Sequence, residues 1–230
     1  MLTPSLGVAW LAALGPAAYA AGPAVSTSAA SGSAAGAAPA ASEARLALQK
    51  AVVFHRQARD LTMRFRAEVR NADLDKKDGY VGRFLLKDSS KFRLEIPGGT
   101  FVSDGVTFWE YHAKNRQVVI RQARDMDNRP PGEVLLRFLD SEPLSLEKVM
   151  AGGKPYLKLR PDPTRAMKNL DSLAVLLDPR DYSLHSVGNR DVAGNESEYT
   201  LLSIKRNAGI KDGEFTFKAP KGVESVDMRE

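Results

Sequence analysis

The side chains best suited to chemistry are few and scattered. His55, His112 and His185 are the three histidines, and none lies within metal-ligand spacing of another. Asp125, Asp127 and Arg129 begin like a calcium loop, but Arg129 stands at the third ligand position and the turning glycine is missing. Asp178 and Asp181 flank Pro179-Arg180. Paired carboxylates can do acid–base work, yet the same four residues are turn chemistry, with carboxylates that bond their own backbone. No G-x-S-x-G elbow, H-E-x-x-H helix or G-x-x-x-x-G-K-[ST] phosphate loop occurs. No cofactor, no metal and no catalysis are expected. What the protein does must then come from its surfaces.

Composition narrows those surfaces. The first 42 residues hold no Lys, Arg, Asp or Glu, so all 33 basic and 28 acidic residues lie in 43–230. Residues 5–15 form a short apolar run, followed by Ala18-Tyr19-Ala20, a small-x-small cleavage pattern. Residues 1–20 therefore read as a secretory signal peptide, although no Lys or Arg precedes the run. The run is well short of the roughly 20 residues that span a bilayer. Residues 21–42 are nearly all Ala, Ser, Gly and Pro and read as a flexible linker, because so little apolar surface cannot offset the entropy of ordering. Residues 43–230 are left as one globular domain. Without cysteine, an exported chain has neither disulfides nor thiolate metal sites. A net charge of +5 would suit nucleic acid, but the charges are interleaved and export leads away from it. No nucleic-acid partner is expected; a mildly cationic face meeting anionic headgroups is the better fit.

The elements that must position any site are mostly strands. Residues 42 to about 60 read as an amphipathic helix capped by Ser42, with Leu46, Leu48, Val52 and Val53 as its stripe. The period then becomes two: Leu61, Met63, Phe65, Ala67 and Val69 alternate with Thr62, Arg64, Arg66, Glu68 and Arg70. Tyr80, Gly82, Phe84 and Leu86 share a face in the next strand, and Phe92, Leu94 and Ile96 in the one after. Asp104-Gly105 sits between runs of β-branched and aromatic residues, a strong hairpin signal. Residues 117–122 follow as another strand. Residues 131–151 read as a helical insertion in two pieces, the second capped by Ser145, running through Met150 and ended by Gly152-Gly153. Strands resume at 155–160, 171–177, 183–191, 196–206 and 214–218.

This pattern predicts a mainly β chain: one open antiparallel sheet of about ten or eleven strands. A sheet with one apolar face must cover it. Curvature and the helical pieces together would make a half-barrel with a lid, and a barrel of this size can enclose a ligand. An apolar strand face is more often packed core than cavity, and periodicity alone leaves both open.

Several blocks resemble the LolA family of periplasmic lipoprotein carriers. They are residues 82–96, residues 101–111 with Val-Ser-Asp-Gly before Trp109 and Tyr111, residues 176–182, and residues 215–223, which look like the family's C-terminal F-x-F-x-x-P-x-G-V. The resemblance implies a LolA/LolB-like half-barrel whose acyl-chain cavity lies between sheet and lid. By motif, Phe65, Phe92, Leu94 and Ile96 would line it, joined by Phe84, Leu86, Trp109 and Tyr111 through alternation. Leu135, Phe138, Leu139 and Met150 would form the lid side. The implied cargo is acylated lipoproteins. An inner-membrane ABC-type releasing complex would load them, and the outer-membrane receptor LolB would accept them. The carrier would be a monomer in the periplasm. Lacking cysteine, the chain is not expected to be lipid-anchored as LolB is. The family's Lys-Arg-Pro turn is Lys87-Asp88-Ser89 here. Its lid-latching arginine is thus replaced by an acid, which either meets a lid helix N-terminus or is a solvated turn residue. The rival reading is a module of the same architecture that carries another lipid or senses envelope stress.

Overall fold

A computed structural model describes residues 37–88, 90–125, 145–160 and 170–229. Among these residues one α-helix, α1 (Ala37–Arg56), precedes twelve strands. They are β1 (Asp60–Asn71), β2 (Lys76–Lys87), β3 (Lys91–Ile96), β4 (Gly99–Ser103), β5 (Thr107–His112), β6 (Gln117–Gln122), β7 (Ser145–Ala151), β8 (Lys154–Arg160), β9 (Leu170–Leu177), β10 (Leu184–Asp191), β11 (Glu196–Arg206) and β12 (Glu224–Asp227). All form one sheet in the order β12-β6-β5-β4-β3-β2-β1-β11-β10-β9-β8-β7. The two end strands do not pair, so the barrel is open. Short turns make a meander in each half, and β1 joins the halves by pairing with both β2 and β11. Every pair is antiparallel except β12 on β6.

The sequence expectation of strands at 61–70, 91–96, 117–122 and 155–160 matches β1, β3, β6 and β8 closely. Three expectations need correction. Residues 145–150 are not a helix: they are β7, held along their whole length by β8 from Ser145↔Arg160 to Ala151↔Lys154. Gly152 and Gly153, read as a helix stop, are the left-handed hairpin turn between them, with φ of +54° and +75°. Residues 214–218 are not a strand: a short 3-10 turn (Asp212–Phe215) buries Phe215, and Phe217 then lies against Tyr111 at 5.3 Å. β12 was not expected, since Glu-Ser-Val-Asp has no strand signature; it exists because β6 offers an edge to pair with. The first piece of the helical insertion, at 131–140, lies outside the described residues, as does the signal-peptide segment 1–20.

The helix differs in detail. It starts at Ala37, inside the stretch read as linker, so Ser42 is a helix residue and not a cap. Its buried face is Ala44, Ala47, Leu48 and Ala51, at i, i+3, i+4 and i+7. Leu46 and Val53, placed on the stripe by their bulk, are 52% and 49% exposed. Alanines allow the helix close to the sheet, where it packs on Leu157, Leu159, Val175 and Leu177. We call this the inner face.

Residues 207–229 form a strap across the opposite, outer face. Asp60, at the start of β1, fixes its beginning: its buried carboxylate accepts the amides of Ala208, Gly209 and Ile210 at 2.6, 3.0 and 3.3 Å. Lys87 Nζ donates to Ile210 O at 2.8 Å and to Asp212 at 2.7 Å, Lys91 reaches Asp212 at 3.2 Å, and Arg93 Nη1 donates to Glu214 O at 3.2 Å.

Candidate ligand-binding face

Register fixes what the inner face is made of, because residues directly opposite in an antiparallel pair project to one side. Met63↔Phe84, Phe84↔Leu94 and Leu94↔Phe101 form one row; Leu86↔Phe92, Phe92↔Ser103 and Ser103↔Phe108 form the next. A third runs Gly82↔Phe65↔Leu201, and a fourth Tyr80↔Ala67↔Tyr199↔Val187. Together they make an aromatic cluster of Phe65, Ala67, Phe84, Phe92, Leu94, Phe101, Phe108 and Tyr199. Phe92 is its centre, 6.2 Å from the Phe84 ring and 5.9 Å from Phe108. All of these residues come from strands; the helix contributes only to the second cluster, farther along the same face.

Polar groups mark two places on this face. Tyr80 and Tyr199 flank Ala67, are hydrogen-bonded to each other, and Tyr199 also bonds Ser197. Burial pushes both phenols above the ordinary tyrosine range, so they stay neutral donors. On β5, His112 and Glu110 lie 2.9 Å apart, half-buried, with the His112 ring edge-on to Phe101 at 6.1 Å.

Of the residues singled out from sequence, Phe65, Phe84, Phe92 and Leu94 are in the cluster, and Leu86 and Ile96 are partly buried against it. Trp109 and Tyr111 are not with them. Trp109 opposes Val102 and Ile120, Tyr111 opposes Thr100 and Val118, and both project from the outer face. Met150 is on the edge strand β7, not on a lid helix, and is 69% exposed. Leu135, Phe138 and Leu139 lie outside the described residues. Sequence reasoning missed Phe101, Phe108 and Tyr199. For the first two the signal was present: counting the Asp104-Gly105 hairpin back from Phe92 puts Phe101 and Phe108, not Trp109, on the side of the β3 phenylalanine. The turn itself centres on Gly105-Val106, with Gly105 at φ +93° and the Asp104 carboxylate accepting the amides of Val106 and Thr107 at 2.8 and 2.7 Å.

Asp178, Asp181 and Asp88 all sit in turns, whereas Asp127 and Arg129 of the calcium-like stretch lie outside the described residues. Arg180 donates to Asp178 through Nε at 2.9 Å and Nη2 at 2.6 Å, and together with its own amide holds that carboxyl down to about 2. Asp178 is therefore a fixed anion that closes a turn, and Asp181 accepts the Ser183 amide at 2.9 Å. Asp88 sits in the β2–β3 turn with φ +51°, exposed, its carboxylate 3.9 Å from Lys91 Nζ. Among the described residues, no three His, Asp or Glu side chains converge to hold a metal ion. No described helix is long and apolar enough to cross a membrane.

The family model described as outer membrane lipoprotein carrier protein LolA matches residues 56–218. The chain belongs to the LolA family. It is 30% identical over 132 residues to an outer-membrane lipoprotein carrier protein of Aeromonas salmonicida, an alignment covering 56% of this chain and 61% of the relative. A protein of the same description from Haemophilus influenzae is 28% identical over 151 residues, 64% of this chain and 71% of that one. Among solved structures, an uncharacterized conserved protein of Thermus thermophilus shares the fold, with a TM-score of 0.55 at 15% identity over 80% of this chain and 99% of that one. LolA relatives are thus carriers by description, and the matched span begins at the end of α1 and runs through the strap as far as Lys218.

Proposed function

We propose that this LolA-family chain is a periplasmic carrier that binds the acyl chains of lipoproteins against its inner face and delivers them from the inner to the outer membrane. The observation that carries the reading is the aromatic cluster: an apolar band on the helix side of the sheet, built by strands beyond the helix's own contacts. Phenylalanine faces suit hydrocarbon, and with Tyr199 donating to Tyr80, the Tyr80 hydroxyl offers one donor at one end of the band for an ester or amide oxygen of an acylated N-terminus.

The energetics favour a passive carrier. Each buried methylene is worth about 0.8 kcal/mol against water, but nothing against a bilayer, which is equally apolar. Loading from a membrane therefore needs outside work, and this chain carries no phosphate-binding loop to supply it. An inner-membrane ABC-type releasing complex would do the loading, and LolB or an equivalent receptor the unloading.

Native mass spectrometry of protein taken from the periplasm tests this directly, because bound acylated protein is expected. Vesicle-release assays with two variants add the geometry. Phe108→Ala, on the inner face, is expected to impair lipoprotein release, and Trp109→Phe, its neighbour on the outer face, to leave it intact. Equal behaviour of the two variants would refute the inner face as the binding surface.

A further inference from the structure

We propose that the outer face of the sheet is a docking surface for anionic lipid bilayers. On β1, Arg64 lies directly opposite Arg83 of β2, Arg66 lies two residues along, and Lys205 of β11 opposes Thr62 two residues the other way. All four are exposed and contiguous on one face. Like charges directly opposite in an antiparallel pair oppose folding, and little here relieves them. Arg83 has Glu95 at 3.6 Å, but Glu95 is held more closely by Arg93, at 2.6 Å. Arg64 and Lys205 make no side-chain hydrogen bond or ion pair among the described residues, and Arg66 has only the charge of Glu68, two residues along the same face, to offset it. The nearest acidic row, Glu68 opposite Glu198, is partly neutralised by Lys77 at 2.6 Å from Glu68.

Two aliphatic side chains stand among these cations. Val81, opposite Arg66, is 44% exposed, and Leu202, the extra residue of a bulge in β11 beside Arg64, is 45% exposed. The strap extends the same face with the exposed Lys211, Lys218 and Lys221, which have no acidic partner among the described residues, while its Asp212 is taken up by Lys87 and Lys91. Isolated aliphatics flanked by long flexible cations match the boundary between headgroups and acyl chains: the aliphatics insert and the cations reach phosphate. The charge of this face has the sign of the whole chain, +5. This surface is independent of the acyl-binding face, which lies on the other side of the sheet.

The test is co-sedimentation of the full chain, free of cargo, with vesicles of phosphatidylethanolamine and phosphatidylglycerol, and with neutral phosphatidylcholine vesicles as reference. Binding should require the anionic lipid and weaken as salt rises. Each basic residue near an anionic surface is worth roughly fivefold in affinity, so the triple variant Arg64→Ser, Arg66→Ser, Lys205→Ser should lose on the order of a hundredfold. A control of equal charge change elsewhere, Lys114→Ser, Lys148→Ser, Lys154→Ser, should lose much less. The triple variant should melt no earlier than the parent, since it removes one side of the Arg64–Arg83 opposition. Indifference of the parent to anionic vesicles would overturn the proposal, as would an equal loss in the control. Binding to polyglutamate without binding to vesicles would also overturn it, assigning the face to an acidic protein instead.

Discussion

Gly82→Ala adds one methyl group in the middle of the aromatic band, and its effect can be worked out from a single ring. Gly82 lies directly opposite Phe65. A Cβ built on it stands 2.3 Å from Phe65 Cζ, 2.7 Å from Cε1 and 3.0 Å from Cε2. Carbon atoms rest at about 3.5–4.0 Å, so the ring must move by more than an ångström. It is boxed in by Tyr80 at 6.3 Å and Tyr199 at 6.1 Å between centroids, and it is buried. Overpacking of this kind costs about 1–3 kcal/mol. Alanine recovers roughly 0.5–1 kcal/mol over glycine in a strand backbone. The net expectation is a loss of roughly 1–2 kcal/mol. In a Phe65→Ala background, itself about 3–5 kcal/mol less stable, the methyl group enters vacated space and only the backbone gain remains. Gly82→Ala should then be neutral or stabilising, giving a coupling of roughly 2 kcal/mol in the double-mutant cycle. Urea unfolding followed by tryptophan fluorescence measures all four proteins. An identical cost of Gly82→Ala in both backgrounds would show that the ring does not lie over the glycine, and the band's packing would have to be redrawn.

Three other outcomes can be checked as directly. Asp60→Ala leaves three strap amides without their acceptor and should cost roughly 3 kcal/mol, with faster hydrogen exchange at 208–215 than in β1 or β2; Asp60→Asn, which keeps an oxygen, should cost less. His55 is lowered to about 4 by burial first and Arg206 second, and its Nε2 is buried without a partner. The unfolded chain therefore binds this proton more readily between pH 6.5 and 4. Stability should be full above the unfolded value and fall by up to roughly 3 kcal/mol as pH drops through that window; His55→Gln should flatten that part of the profile. Met150→Ser, on an exposed edge strand, should change stability by less than about 0.5 kcal/mol, whereas Leu159→Ala, buried beneath the helix, should cost roughly 2–5 kcal/mol.

How legible each strand was depended on how many of its faces are covered. In β1 one face is charged and the other apolar, so Phe65 and Ala67 could be assigned by eye against Arg64 and Arg66. In β5 the aromatic residues fall on both faces: Phe108 belongs to the inner cluster, while Tyr111 lies against Phe217 of the strap. With both sides buried, alternation carries no sign, and only the register back to β3 separates Phe108 from Trp109. Residues 145–150 misled for a related reason. Leu146, Val149 and Met150 fall at helical spacing, and Ser145 with Glu147 imitates a helix start. Pairing with β8 outweighed that local signal. The helix erred the other way: the bulk of Leu46 and Val53 drew attention from an alanine face that sits flush on the sheet.

Local order in the sequence determined the strand-rich character, most strand positions and the family resemblance. Each depends on residues near one another in the chain: period-two alternation, turn glycines and short motifs. Tertiary structure decided which side of each strand is the inner face, that residues 145–150 and 224–227 are strands, and that the C-terminal segment covers the back of the sheet. Those outcomes depend on partners as much as 150 residues away, such as Asp60 with Ile210. A strand's neighbours, not its own residues, determine which of its two faces is dry.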